Sequence, residues 1–187
     1  IKAFEIDDLT GVGPYSMYPR TSAIEANQVV NLIGGQYTTP NYRARTRVVF
    51  QNKNVMCQYR GVGHPIACSV TEGLVDIAAR KIGMDPVEIR RRNLIADDAY
   101  PCESASGMKF ESLSHHAALD KLISMMNYDA LRAEQAELRK KGLYRGIGFA
   151  TFIEVTNPSA AFYGVGGARI SSQDGVSVRL DATGSVI

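Results

Sequence analysis

Arg60 stands between Tyr59 and two glycines, Gly61 and Gly63, in the stretch MCQYRGVGHP from Met56 to Pro65. The guanidinium supplies a fixed charge and a fork of donors. The glycines remove side chains where the backbone must bend or let something approach closely. Pro65 suits the first turn of a helix, where its missing N–H costs nothing. Free N–H groups at a helix start favour an anion or a polarised oxygen. A tight turn alone rarely needs a charge and two bare positions together, yet by itself the motif reads more readily as loop and cap than as a ligand site.

Other residue types with chemical potential are weaker signals. Glu154 lies in the apolar stretch FATFIEV (Phe149–Val155), where burying an unpaired carboxylate is costly; a solvent-facing alternate position is the simpler reading. His115 and His116 fall on a predicted helix, where neighbours point about 100° apart and cannot chelate one ion together. They read as a solvated or partly buried pair. The chain's three histidines assemble into no Ser/His/Asp arrangement. GVG at Gly11–Gly13 and GVGG at Gly164–Gly167 lack the lysine and the strand–loop–helix context of a phosphate loop. Cys57, Cys68 and Cys102 are odd in number and lack C-x-x-C pairing, which implies free thiols in a reducing compartment, the cytoplasm.

The elements that must hold these residues follow from periodicity. Ala3–Ile6 reads as a strand, followed by the breaker-rich LTGVGPYSMYP. Ser22–Leu32 reads as a short helix ending at Gly34-Gly35. Tyr42–Phe50 alternates as a strand with Arg43, Arg45 and Arg47 on one solvated face. The strongest pattern is a helix over 65–82, with Ile66, Val70, Leu74, Ala78 and Ile82 on one stripe, Ile77 beside it, and Gly83 as the stop. Asp85, Pro86 and Glu88 form a capping-box arrangement for a second helix. Arg90, Arg91 and Arg92 sit near its end, where cations complement the dipole. After an irregular loop over 100–111, Ser112 or Ser114 caps a helix through Met126, and Asp129 caps another over 130–141. Period-2 patterns then return at 145–155, 168–172, 176–180 and 185–187, with turns at Asp174-Gly175 and Asp181–Gly184. The order strands, helices, strands predicts an α+β fold: one partial domain over 1–187, with a helical segment of about 65–141 between strand-rich 1–60 and 144–187.

Composition narrows the function classes. The 187 residues are 45% hydrophobic and 21% charged, with a net charge of +2, too weak a balance to argue for nucleic acid or an acidic membrane surface. No apolar run approaches the roughly 20 residues of a membrane span, and no basic-then-apolar leader opens the chain. IKAFEI at the start and GSVI at the end both read as interrupted strands, so the chain is expected to be a fragment of a larger protein.

From Gln58 to Ile95, QYRGVGHPIACSVTEGLVDIAARKIGMDPVEIRRRNLI closely resembles the large subunits of the xanthine dehydrogenase/aldehyde oxidase family. There a YRG-x-G or FRG-x-G turn precedes a long helix and a G-x-DP-x-E-x-RRRN signature. Upstream GGQYTTPNYRARTRVVFQNK (Gly34–Lys53), downstream YRGIGFATFIEVT (Tyr144–Thr156) and DATGSVI agree in order. The resemblance implies part of a molybdenum-cofactor-binding domain of a molybdenum hydroxylase. Such an enzyme hydroxylates an electron-poor carbon of an N-heteroaromatic or aldehyde with water, using molybdenum-molybdopterin, expected in its cytosine dinucleotide form. Electrons leave through iron–sulfur clusters and FAD on partner subunits, in an oligomeric parent.

Carried over by position, the resemblance makes Arg60, Gly61 and Gly63 cofactor-binding, with Arg60 near molybdenum but not a ligand of it. Val62 faces substrate, where a purine-oxidising member has a stacking ring; valine offers less surface. Gln28, by ungapped count from Arg60, falls near a substrate-binding arginine of purine oxidisers, and its neutral amide also argues against a purine. Gly61 stands where the resembling carbon monoxide dehydrogenases have the cysteine that holds copper, and glycine cannot ligate a soft metal. The family's glutamine-bearing glycine-rich segment, its GQG loop and its catalytic glutamate fall outside the sequence. No catalytic residue is therefore expected in this chain, and alone it should neither retain cofactor nor turn over. Two alternatives remain: a carbon monoxide dehydrogenase-like large chain lacking the copper cysteine, and a non-catalytic scaffold domain. Where Arg60 points, toward an open concave surface beside Gly61 and Gly63 or into a salt bridge on a convex face, discriminates between enzyme and scaffold.

Overall fold

The computed structural model describes residues 1–16, 23–56, 58–154 and 176–186. Strand β1 (Phe4–Val12) and strand β2 (Tyr42–Phe50) pair in parallel along their whole length, Phe4 opposite Tyr42 and Val12 opposite Phe50. Parallel strands cannot be joined by a hairpin, and helix α1 (Ala23–Leu32) lies in the crossover. The strand expected over Ala3–Ile6 thus runs on through Gly11, because β2 supplies ladder partners that outweigh the local breaker signals. The arginine row of β2 is solvated and answered across the pair: Arg43 bonds Glu5, and Arg47 meets Asp7 at 2.9 Å.

Helix α2 (His64–Ile82) ends at Gly83 in the left-handed conformation, as the sequence predicts. Its buried face is not the predicted one. Ala67, Thr71, Glu72, Val75 and Ala79 are buried, whereas Ile66, Val70, Leu74, Ile77 and Ile82 are exposed. The helix is turned by one residue, about 100°, because its inward face is held by polar partners as well as by packing. Thr71 Oγ1 accepts from the Gly34 amide at 3.1 Å, for example.

Helix α3 (Pro86–Asn93) is capped by Asp85, whose carboxylate accepts from the Val87 and Glu88 amides. The reciprocal half of the expected capping box is absent, since Glu88 pairs with Arg92 at 2.5 Å. The irregular loop folds into a hairpin of two-residue strands, β3 (Cys102–Glu103) with β4 (Lys109–Phe110). Helix α4 (His115–Met125) starts after Ser114, which makes no side-chain cap bond; helix α5 (Tyr128–Lys140) starts at Asn127, with Asp129 inside its first turn rather than capping it.

After α5 the expected strand over 145–155 does not form through Glu154, for no neighbouring strand meets it among the described residues. Instead Phe149 enters the core, edge-on to Tyr128 at 5.3 Å between ring centres. Leu180 and Val186 form a single bridge around the expected Asp181–Gly184 turn, whose Asp181 carboxylate accepts from the Thr183 and Ser185 amides. Ser22, Cys57, Val155, Gly164–Gly167, the expected strand over 168–172, Asp174-Gly175 and Ile187 lie outside the described residues. The whole is an α+β fold. One core joins Phe4, the inward residues of α1 and α2, Val87 and Ile89 of α3, Leu119, Tyr128 and Phe149.

Candidate functional site

The Arg60–Gly63 turn is the N-terminal mouth of α2. Gly61 and Gly63 have φ of +85° and +71°, both in the left-handed region that favours glycine. His64 N–H donates to Gly61 O at 2.8 Å and Ala67 N–H to Gly63 O at 2.9 Å, so the turn flows into the helix. The two glycines differ in surroundings. A Cβ on Gly63 would lie 2.7 Å from Gln28 Cβ and 2.9 Å from Glu25 O and Val29 N. Its bareness therefore serves the chain's own α1, not the approach of a guest. A Cβ on Gly61 would meet only Pro65, at 3.5 Å, which leaves that side open.

The same packing places buried Gln28 beside the turn. Arg60 is exposed, and among the described residues it has no hydrogen-bond or ion-pair partner. Gln58, two residues before it, keeps a buried Nε2 with no partner among the described residues, a feature that demands an explanation in a folded protein. Half-buried Val62 directs its carbonyl to His64, whose Nδ1–H donates to it at 2.7 Å. His64 Nε2 lies 3.9 Å from Glu154 Oε1. Among the described residues no group of three His, Cys, Asp or Glu side chains is placed to hold a metal, and His115 bonds Phe152 O through Nε2 at 3.1 Å.

What fixes this corner is a polar hub that the sequence pattern conceals. Glu72, 4% exposed, accepts at Oε1 from Gln36 Nε2 (2.8 Å), Tyr37 OH (2.8 Å) and Thr151 Oγ1 (3.0 Å). Its Oε2 accepts from Arg90 Nε at 2.8 Å. Arg90 is 0% exposed and also donates to Asp76, Pro86 O and Phe149 O. Burial works against its charge, but Glu72 and Asp76 hold the guanidinium above the ordinary arginine value. Burial, then Glu72, pushes the Tyr37 phenol far up, and the same two causes raise the Cys68 thiol. Arg90 looks like a dipole-facing surface cation in the sequence, because the predicted inward stripe of the long helix leaves Glu72 and Asp76 on its far side.

Comparison with known proteins agrees with this geometry. Residues 1–94 match the model of the molybdopterin cofactor-binding domain. The chain is 34% identical over 93% of its length to the nicotine 6-hydroxylase large subunit of Paenarthrobacter nicotinovorans, covering 21% of that protein. It is 31% identical over 84% of its length to the carbon monoxide dehydrogenase large chain of Hydrogenophaga pseudoflava, covering 20% of it. The crystal structure of quinoline 2-oxidoreductase from Pseudomonas putida 86 superposes with a TM-score of 0.84 and 31% identity, over 99% of this chain and 24% of that one. The chain thus spans about a fifth of the length of the curated relatives it matches. With the family model covering half its residues and the fold shared nearly end to end, the chain belongs to the molybdopterin cofactor-binding domain family of the xanthine dehydrogenase and aldehyde oxidase large subunits.

Proposed function

We propose that this chain is part of a molybdenum hydroxylase large subunit that hydroxylates an electron-poor carbon of an N-heteroaromatic or aldehyde substrate, water being the oxygen source. Electrons pass to iron–sulfur and FAD centres on partner subunits. The observation that supports this best is an exposed Arg60, without an ion-pair partner among the described residues, beside the open face of Gly61; a scaffold domain would be expected to engage that guanidinium in an ion pair. The names of a nicotine hydroxylase and a quinoline oxidoreductase among the relatives favour an N-heterocycle.

The residues present fit a pterin-bound molybdenum group, for which we propose the cytosine dinucleotide form. Arg60 offers a charged fork to an electron-rich ligand, the orphaned Gln58 Nε2 offers a further donor, and Gly61 opens space for close approach. Gly63 contributes through the bend it permits, its own amide being directed to Glu25 Oε1 at 3.4 Å. Once bound, the cofactor supplies the oxygen-transfer and two-electron chemistry. This chain's residues supply orientation: His64 fixes the Val62 carbonyl, Val62 offers substrate an apolar contact with little stacking area, and Gln28 backs the turn from α1.

The test is Arg60→Ala in the full-length subunit assembled with its partners. Turnover per bound molybdenum should fall about 100-fold or more, the scale of losing a preorganised donor. The melting temperature should move by about 2 °C at most, as for a surface change. A lowered melting temperature with turnover intact would favour the scaffold reading. Acid release of the bound nucleotide, identified by mass spectrometry, should yield cytidine monophosphate.

A further inference from the structure

The segment that runs past the hub carries a carboxylate, Glu154, that makes no hydrogen bond among the described residues. Thr151 is anchored twice, its Oγ1 on Glu72 and its carbonyl on Gln36 Nε2 at 2.8 Å. Three residues on, Glu154 is 47% exposed in its side chain, and among the described residues its only polar neighbour is His64, at 3.9 Å. That separation is at the outer limit of an ion pair, and half-exposed pairs of this kind contribute little stability. His64 in turn is bonded to the carbonyl of Val62, at the residue between the two turn glycines. One side chain therefore separates the Glu154 carboxylate from the proposed substrate-facing position. Exposed Phe152 and half-buried Ile153 precede it, and with Leu119, Leu122 and Phe149 they form the apolar wall of an open groove of about 470 Å³ that Glu154 also lines. An apolar wall beside a half-exposed carboxylate complements a ring that carries positive charge.

We infer that Glu154 is a specificity-determining residue that selects substrates bearing a protonated or quaternary ring nitrogen. The inference rests on the hydroxylase reading above and names the substrate class for that site.

The experiment uses the full-length enzyme with its partners, and two bicyclic probes of the same shape: N-methylquinolinium, which is cationic, and neutral quinoline. Equilibrium binding by calorimetry and steady-state KM are measured for the parent and for Glu154→Gln. The parent should prefer the cation. Glu154→Gln should raise Kd and KM for N-methylquinolinium about tenfold, the size of one desolvated charge pair. It should leave quinoline within about twofold and kcat nearly unchanged. Glu154→Asp, which retains the charge, should restore most of the preference. Equal weakening of both probes, or a parent that does not prefer the cation, overturns the inference. Molybdenum content of the same samples separates the two readings: parent enzyme without bound molybdenum removes the hydroxylase reading itself, whereas molybdenum-replete enzyme without charge discrimination removes only this one.

Discussion

At the residue scale, two glycines that look equivalent in the sequence do different work. Gly63→Ala meets both a left-handed backbone and the Cβ of Gln28; overpacking and backbone strain together should cost about 2–4 kcal/mol. Gly61→Ala meets open space, so only the backbone conformation costs, about 1 kcal/mol, while bound molybdenum and turnover should fall in the full-length enzyme. Denaturant unfolding set beside metal content distinguishes the two variants. The RGVG turn and its helix were legible because charge, glycine and proline are local signals. The reason for Gly63 was not legible, since α1 lies more than thirty positions upstream and nothing in the turn announces it. Glu154 was legible as an oddity in an apolar run, but its neighbour His64 was hidden by the distance along the chain.

At the scale of elements, α2 shows where periodicity runs out. Its length and both ends follow from Pro65 and Gly83, yet apolar residues occupy two adjacent stripes, and the pattern alone cannot choose between them. The choice falls to Glu72 and Thr71, whose buried oxygens find donors only when the Ala67–Val75 side turns inward. Arg90→Met leaves Glu72 and Asp76 without their cation and should destabilise by about 3–5 kcal/mol. Joining it with Glu72→Gln and Asp76→Asn should recover much of that loss, a coupling that chemical denaturation of single and combined variants would read directly. Cys68, raised by burial and by Glu72, should react with iodoacetamide at pH 8 more slowly than glutathione; a rate equal to glutathione would place the thiol in open water.

On the scale of the whole molecule, the inward face is complete and the outward one is not. Ile66, Val70, Leu74, Ile77 and Ile82 line one exposed side of α2, a contiguous apolar strip of the kind monomeric proteins seldom display. The 187-residue chain on its own should therefore bind a hydrophobic dye and self-associate, and Leu74→Lys with Ile77→Lys should suppress both without lowering its melting temperature. Alkali offers a second probe of the interior. Burial pushes the phenols of Tyr42 and Tyr128 up to about 12, Tyr128 also through its bond to Asp85. Raised values mean that the neutral phenol is favoured in the folded state, so this stabilisation is full below pH 10 and is lost as pH climbs through about 12. Absorbance at about 295 nm should show these rings ionising together with unfolding, after the exposed tyrosines. The α+β class was readable because strands and helices segregate along the chain, while the parallel partnership of β1 with β2 was not, as neither sequence states which edge it seeks. One carboxylate, on Glu72, receives four donors from three separate stretches of polypeptide. Such wiring constrains descent as well as folding: losing Arg90 strands the Glu72 charge and losing Tyr37, Gln36 or Thr151 removes one of its donors, so these distant positions should be inherited, or lost, as a group.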